Sequence, residues 1–160
     1  MRTFRLATHP GIHFLATALL LAGCATGGVS RTEHLTFAPS LGVELERMTR
    51  TESGLYFQEL RLGEGPEAGE GDRVAVHYAG WLPDGDLFDG IVPPADPMSF
   101  TLGEGEVIRG WDEGVRGMRA GGARKLVVPP HLAYGSRGVP GTVPRNATLV
   151  FQIELVEVTR

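Results

Sequence analysis

Residue types that could carry out chemistry are present in the sequence, but their spacing matches no common catalytic arrangement. Asp112 and Glu113 are neighbours on a predicted helix, so their carboxylates point in different directions and complement the helix dipole better than they form an acid–base pair. The histidines have no metal-ligand spacing and no accompanying Ser-His-Asp elbow motif; they are His9, His13, His34, His77 and His131. An enzyme with this sequence would have to work without a nucleophile, a metal or a cofactor.

A tryptophan between two glycines, in the stretch "GEGEVIRGWDEGVRGM", is the most informative aromatic residue. Spacings of three, four and three separate the apolar residues Ile108, Trp111, Val115 and Met118. These spacings place all four on one face of a short helix. Trp111 could be ordinary core packing or the floor of a ligand pocket.

The elements that must position this tryptophan are short strands joined by turns. The 23 glycines and 11 prolines cluster between short apolar runs, which argues against a helical bundle. In "RVAVHYAGWL", Val74, Val76 and Tyr78 alternate onto one face of a strand. Further strands are predicted in "LYFQELRLGEG", "PMSFTLG", "ARKLVVPP" and "ATLVFQIELVEV". The pattern predicts an α+β domain whose antiparallel sheet is covered on one face by the short helix.

Aromatic side chains are expected to converge between this helix and the concave face of the sheet. The residues concerned are Tyr78, Phe88, Phe100, Trp111 and Phe151. Such a cluster is larger than a core of this size usually needs. The pattern therefore favours a pocket with Trp111 as its floor.

The first residues are predicted to be an export signal. Arg2 and Arg5 precede the apolar run "FLATALLLAG", which is too short for a mature membrane-spanning helix. The run ends in "LAGC", which resembles the lipobox of bacterial lipoproteins, so residues 1–23 are expected to be removed and Cys24 to be lipidated. The alternative is an uncleaved anchor, or an ordinary signal with a chance cysteine. The resemblance implies export and a lipid anchor in a bacterial membrane, with the domain facing the periplasm or the cell exterior; Ala25 weakly favours the outer membrane.

Composition excludes several other functions. The length of 160 residues fits one domain with appendages. Cys24 is the only cysteine, so its lipidation would leave no thiol for catalysis or a disulfide. Loss of the leader removes two of the 15 basic residues and none of the 19 acidic ones, which changes the net charge from −4 to −6. An acidic surface argues against a nucleic-acid partner.

Residues 24–50 are predicted to be a lipidated N-terminus and tether that packs in part on the domain. The tether begins with small and polar residues, "ATGGVSRTEH", as a flexible linker does. Its later part, "LTFAPSLGVELERM", is too apolar to be linker alone. A strand or short helix is expected there.

Three stretches resemble, in order, the FKBP family of peptidyl-prolyl isomerases; they are "VAVHYAGWLPDGDLFD", "FTLGEGEVIRGWDEGVRGM" and "AYGSRGVPGTVPRNATLVFQIEL". The resemblance covers nearly all of residues 51–160. It implies a five-stranded antiparallel sheet wrapped around one short helix, with a proline-binding cavity between them and no cofactor. It further implies proline-containing polypeptides as clients and macrolides of the FK506 type as ligands.

The resemblance also implies roles for individual residues. The catalytic set that it implies is Tyr78, Asp89, Ile108 and Tyr134. The backbone N–H of Ile108 would bind a substrate carbonyl, Tyr134 would donate from its hydroxyl at the mouth, and Asp89 would be the buried carboxylate beside it. The substrate-binding set that it implies is Phe88, Met98, Phe100, Val107, Trp111, Val143 and Phe151. In this set Val107 forms the rim and Val143 contacts the proline from a loop.

Departures from the family pattern concern the edge of the cavity. Pro94 stands where many members have an arginine that pairs with the aspartate, so Asp89 is expected to depend on Tyr78 or other donors. Met98 replaces a common aromatic wall residue by an adaptable apolar one. Val139 and Thr142 at a loop tip also differ. The cavity is expected to persist with altered ligand preference, including its preference among macrolides.

An apolar pocket of this kind accelerates rotation about an X-Pro bond without an acid or a base, because no proton has to move. Together with the predicted export signal, the resemblance therefore implies a monomeric isomerase that assists protein folding outside the cytoplasm. The alternative is a binding module or holding chaperone that has the same cavity and little turnover.

Overall fold

The computed structural model describes Thr32 and residues 35–160. The predicted leader, Cys24 and the first part of the predicted tether lie outside the described residues. None of the helices in the described part of the chain is long and apolar enough to cross a bilayer.

The described residues form one antiparallel sheet and one α-helix. In chain order the elements are β1 (Thr49–Arg50), β2 (Tyr56–Arg61), β3 (Arg73–Trp81), β4 (Leu87–Ile91), β5 (Met98–Thr101), α1 (Arg109–Val115), β6 (Ala123–Val128) and β7 (Leu149–Thr159). The strand order is β1-β2-β6-β7-β3-β4, and β5 pairs with β3 beside β4. The α+β class, the antiparallel sheet and the single short helix are those predicted from the sequence.

The sheet has seven strands, so the expectation of five is corrected in this detail. The two-residue β1 adds one strand at an edge. On the other edge, β5 pairs with the first half of β3 and β4 with the second half, so one edge position carries two strands. The loop between them contains Pro93, Pro94 and Pro97, and proline has no N–H to donate to a ladder.

Strand β3 lies next to the edge position that β4 and β5 share, and it carries the cavity face. It pairs with β7 from Arg73 to Trp81, which sets Tyr78 opposite Ile153 and Gly80 opposite Phe151. Val74, Val76 and Tyr78 are buried, as the alternation predicts. The site therefore rests on the most extensively paired strand of the described sheet.

Helix α1 packs on β6 through its glycines. A Cβ atom on Gly110 would lie 2.4 Å from Val128 Cγ1, and one on Gly114 would lie 2.5 Å from Leu126 Cδ1. Any side chain at either position would push the helix away from the strand. Because neither glycine has a side chain, the helix packs closely on the strand. Trp111, which lies between them, is buried, with 4 % of its surface exposed.

The helix is shorter than its apolar spacing predicts. Ile108 is the residue before its first turn, and Met118 lies beyond its end. Gly117 has a positive φ of 77°, a conformation that ends helices. Both apolar residues still contact the core cluster. The four apolar residues therefore pack together as predicted, but the helix includes only Trp111 and Val115.

The N-terminal segment, residues 35–48, packs on the outer face of the sheet, opposite α1. There Tyr56, Val127, Val150 and Trp81 form an apolar row across β2, β6, β7 and β3. Leu41 and Met48 are buried against this row. The Lys125 ammonium donates hydrogen bonds to the carbonyl oxygens of Leu41 and Gly42. The packed unit therefore extends upstream of residue 51, to Phe37.

Candidate active site

A cavity of about 190 Å³ opens between the start of α1 and the concave face of the sheet. The side chains that line it come from β3, β4, β5, β7, the helix start and one long loop. They are Tyr78, Asp89, Met98, Glu106, Val107, Ile108, Trp111, Tyr134 and Phe151. Residues distant in sequence thus surround one space, in which aromatic and aliphatic side chains lie beside carboxylate and hydroxyl groups.

The floor of the cavity is the indole ring of Trp111. Tyr78 meets it edge-on, with ring centroids 4.7 Å apart and planes at 78°. Phe151 meets it in the same way at 5.3 Å and 85°. Such T-shaped pairs add to the stability gained from burial alone. Trp111 is therefore both a core residue and a lining residue, and the two interpretations of it are compatible.

Two of the predicted substrate-binding residues lie behind the lining. Phe100 is 1 % exposed, and its ring centroid lies 6.0 Å from that of Trp111. Phe88 meets Phe151 edge-on at 5.7 Å. They support the cavity walls. Val143 is 5 % exposed and lines a separate groove beside the cavity.

Glu106 lines the cavity although it was not among the predicted residues. Its Oε2 accepts a hydrogen bond from the backbone N–H of Thr101 at 3.2 Å. The segment "GEGE" has the composition of a turn, and the structure forms one there. Because Glu106 comes immediately before Val107 and Ile108, the sequence could have indicated that it lies at the rim.

A hydrogen bond joins the polar residues at the cavity wall. The Tyr78 hydroxyl donates to Asp89 Oδ2 at 2.8 Å, and the backbone N–H of Gly90 donates to Asp89 Oδ1 at 2.9 Å. Both carboxylate oxygens are thereby satisfied without an arginine. Tyr78 thus provides the partner expected for Asp89 in a chain with Pro94, but Asp89 is exposed and not buried as the resemblance implies.

The two tyrosines of the cavity remain hydroxyl donors in neutral solution. Burial raises the pKa of Tyr78 well above its ordinary value, and the hydrogen bond to Asp89 and its negative charge raise it further. Burial also raises the pKa of Tyr134, and the charge of Asp89 adds to this effect. Neither hydroxyl can act as a base near pH 7. The site offers O–H donors around an apolar space.

One side-chain donor and one backbone donor at the site have no acceptor within the described residues. The indole Nε1–H of Trp111 is buried without a hydrogen-bond partner there. The backbone N–H of Ile108, at the start of α1, also makes no hydrogen bond among these residues. A buried unpaired donor such as the indole N–H is rare, whereas the N–H groups at a helix start have no partner within the helix, and that of Ile108 is only half-buried. The Ile108 N–H is thus available to an incoming carbonyl oxygen.

The remaining histidines of the described chain have structural partners. The His77 Nε2 atom lies 2.9 Å from the Ala95 carbonyl oxygen, and the His131 Nε2 atom lies 2.7 Å from that of Ser53. Within residues 35–160 and Thr32, no group of three or more His, Cys, Asp or Glu residues is placed to hold a metal ion.

Comparison with known sequences identifies the family. The family model described as FKBP-type peptidyl-prolyl cis-trans isomerase matches residues 65–156. The FK506-binding protein of Neisseria meningitidis serogroup B is 47% identical over 105 residues, which are 66% of this chain and 96% of that protein.

Solved structures agree with this match. The structure of FkpA from Escherichia coli has a TM-score of 0.66 and 40% identity, and the match covers 76% of this chain and 55% of that one. A peptidyl-prolyl cis-trans isomerase from Pseudomonas syringae pv. tomato has a TM-score of 0.64 and 35% identity, with coverage of 71% and 81%. The fold, the aromatic cavity and the matched sequence all lead to one assignment. The chain belongs to the family of FKBP-type peptidyl-prolyl cis-trans isomerases.

Proposed function

We propose that this chain accelerates rotation about X-Pro bonds in polypeptides that fold outside the cytoplasm, using its apolar cavity and no cofactor. The observation that carries the proposal is the combination found at the cavity: a tryptophan floor enclosed by aromatic rings, with hydroxyl and backbone donors at its edge. Family membership supports the same activity.

The barrier that such an enzyme must lower comes from amide resonance. The X-Pro bond has partial double-bond character, and its rotation has a barrier of roughly 18–20 kcal/mol. At the top of the barrier the amide is twisted and less dipolar than the planar ground state. An environment with little water therefore favours the twisted form relative to the planar one.

The size of the cavity fits one ring. At about 190 Å³ it is smaller than the sites that hold whole drug-sized molecules, which begin at roughly 300 Å³. A proline ring resting on Trp111 would be held by Tyr78 and Phe151 while the residue before it turned. Fixing one side of the rotating bond in this way supplies orientation before the reaction begins.

The polar groups at the edge bind the peptide backbone in this mechanism. The Ile108 N–H binds one substrate carbonyl oxygen, and the Tyr134 hydroxyl, which is kept protonated, donates to another. Asp89 holds Tyr78 in place through their hydrogen bond. No group gains or loses a proton during the rotation, so the reaction needs neither an acid nor a base.

The proposal is tested by isomerisation of a short X-Pro peptide with residues 25–160, compared with the Tyr78→Phe and Asp89→Ala variants. We expect acceleration that falls in both variants while circular dichroism stays the same. A folded protein that binds prolyl ligands without accelerating rotation would instead be a binding module or holding chaperone. Equal activity in all three proteins would remove both residues from the site.

We further propose an exported, monomeric protein that is lipid-anchored through Cys24, with the outer membrane weakly favoured. The sequence pattern at residues 1–24 supports the anchor, and the acidic composition argues against a nucleic-acid partner. Proline-containing polypeptides are the proposed clients. Macrolides of the FK506 type are proposed ligands, with an affinity altered by Pro94 and Met98.

A further inference from the structure

A second groove, of about 450 Å³, lies beside the proposed proline cavity. It is formed by the loop that follows Tyr134 and by the residue that follows β3. Its principal lining residues are Leu82, Arg137, Val139, Pro140, Val143 and Arg145. None of these residues lines the proline cavity, so the groove is a separate feature of the surface.

The groove carries positive charge that the protein itself does not neutralise. Arg137 and Arg145 are exposed, and neither forms an ion pair or side-chain hydrogen bond with another described residue. No carboxylate lines the groove. The nearby turn contains Asp84, whose Oδ1 accepts a hydrogen bond from the N–H of Asp86, and neither aspartate belongs to the lining. The groove is therefore positively charged, although the whole chain has a net charge of −4.

The loop that holds the two arginines is preformed. Val139 and Val143 exchange both backbone hydrogen bonds, each of 2.8 Å, which closes a tight turn. Gly138 has a positive φ of 61°, and a Cβ atom there would lie 2.4 Å from the Val143 carbonyl oxygen. The Val143 side chain is buried in the core. A ligand would therefore meet a fixed surface and would not have to order the loop.

The groove lies within reach of a peptide bound in the cavity. Gly80 pairs with the cavity residue Phe151, and Leu82, which lines the groove, follows two residues later along the chain. Two residues of extended strand span about 7 Å. Two or three extended residues of a substrate would cover a similar distance, at about 3.3 Å each.

We infer that this groove is a subsite for an acidic side chain of the polypeptide whose proline occupies the cavity. The inference rests on the proposed isomerase function and adds a sequence preference to it. Arginine pairs with carboxylates in a planar, bidentate geometry, which makes Asp and Glu the side chains that Arg137 and Arg145 fit best. The apolar walls from Leu82 and Val139 would cover the methylene groups of such a side chain.

The test uses the full chain and a series of alanine peptides with one central proline. A single glutamate is placed in turn at each position from three before to three after the proline, and a matched series carries glutamine. The protein is compared with the Arg137→Gln/Arg145→Gln double variant and with Arg160→Gln. Arg160→Gln is the control, because it removes one positive charge beyond the end of β7. The groove lies at the opposite end of that strand, where Val150 pairs with Trp81, the neighbour of Leu82.

At one or two positions, glutamate should raise kcat/KM about 1.5-fold to fivefold over glutamine, the range of exposed ion pairs. The ratio should fall toward one in the double variant and in 1 M salt, where the Debye length is about 3 Å, and should persist in Arg160→Gln. A ratio of one at every position, or a preference that survives in the double variant, overturns the subsite alone. No acceleration of any peptide overturns the proposed function and the subsite with it.

Discussion

The Tyr78 hydroxyl donates a hydrogen bond of 2.8 Å to Oδ2 of Asp89 on the neighbouring strand. Tyr78 stands opposite Ile91 in the register of β3 and β4, so Asp89 is its diagonal neighbour two residues away. Diagonal neighbours are within reach of long side chains. A slip of one residue in this register would turn Asp89 to the other face of the sheet. Strand pairing therefore assembles this part of the site.

A double-mutant cycle should show that Tyr78 and Asp89 act together. Tyr78→Phe and Asp89→Ala each remove the same hydrogen bond. The free-energy change calculated from the loss of kcat/KM should therefore be smaller in the combined variant than the sum of the changes in the two single variants. Contacting residues of this kind show coupling energies of about 0.5–3 kcal/mol. Additive losses would mean that the two residues act on the substrate independently.

Stability should fall at high pH because of Tyr78. The pKa of its hydroxyl is raised in the folded protein, mainly by burial. An unfolded tyrosine ionises near pH 10, so above that pH the unfolded state releases a proton that the folded state keeps. The free energy of unfolding should therefore decrease from about pH 10 upward, by at most about 1.4 kcal/mol per pH unit for this group.

Urea unfolding between pH 7 and pH 11 measures this effect. Tyr78→Phe should flatten the decrease above about pH 10, because phenylalanine does not titrate. The same decrease in the variant and in the unchanged protein would assign the pH dependence to other groups.

The two tryptophans should respond differently to a prolyl ligand. Trp111 forms the cavity floor, whereas Trp81 packs on the outer face with the N-terminal segment. Ligand binding should change the fluorescence of Trp81→Phe, in which Trp111 remains, and should leave that of Trp111→Phe unchanged. Calorimetry should show weaker binding in Trp111→Phe and unchanged affinity in Trp81→Phe. The reverse result would place the ligand on the outer face.

Leu41 should contribute to the stability of the whole domain. It is 7 % exposed and packs against the outer face of the sheet, whereas Leu62 is 76 % exposed. Leu41→Ala should lower the free energy of unfolding by about 2 kcal/mol or more, and Leu62→Ala should change it by less than about 0.5 kcal/mol. Urea denaturation of both variants compares them. Equal, small effects would mean that the N-terminal segment is not part of the cooperative unit.

Cys24→Ala should release the protein from membranes if the cysteine carries a lipid. Fractionation of cells that produce each form, followed by immunoblotting, measures the distribution. The unchanged protein should be in the membrane fraction and the variant in the soluble exported fraction. Membrane association that persists in the variant would indicate an uncleaved leader as the anchor.

The parts of the fold that the sequence predicts well are those with a regular pattern. The alternation around Val74, Val76 and Tyr78 indicates a strand with one buried face, and the spacing around Trp111 indicates a helix. Two strands were missed: β1 has only two residues, too few for any period to show, and β4 is a five-residue strand close after the turn-forming residues "PDG". The helix end was missed because Gly117 stops a helix while the apolar spacing continues to Met118.

The site was less predictable where loops contribute to it. The structure brings most of the implied residues around one cavity because strands and the helix carry them. Val143 lies on an irregular loop, and its separate groove follows from the tight turn closed by Val139. Glu106 could not be distinguished from an ordinary turn residue by its type. The course of the N-terminal segment depends on the apolar row that it covers, which exists only once four strands are paired.

The contact of α1 with β6 through Gly110 and Gly114 has a consequence for how this cavity can change. Side chains that meet across an interface can change rotamer or size, but here the helix main chain itself is in contact with Val128 and Leu126. On the helix side of this contact no side chain can change its rotamer, and on the sheet side Leu126 and Val128 are fully buried, so the height of Trp111 above the sheet is closely fixed. Walls such as Met98 can be replaced without lowering or tilting the floor. New ligand preferences can be acquired one wall residue at a time, while the surface that receives the proline ring stays where it is.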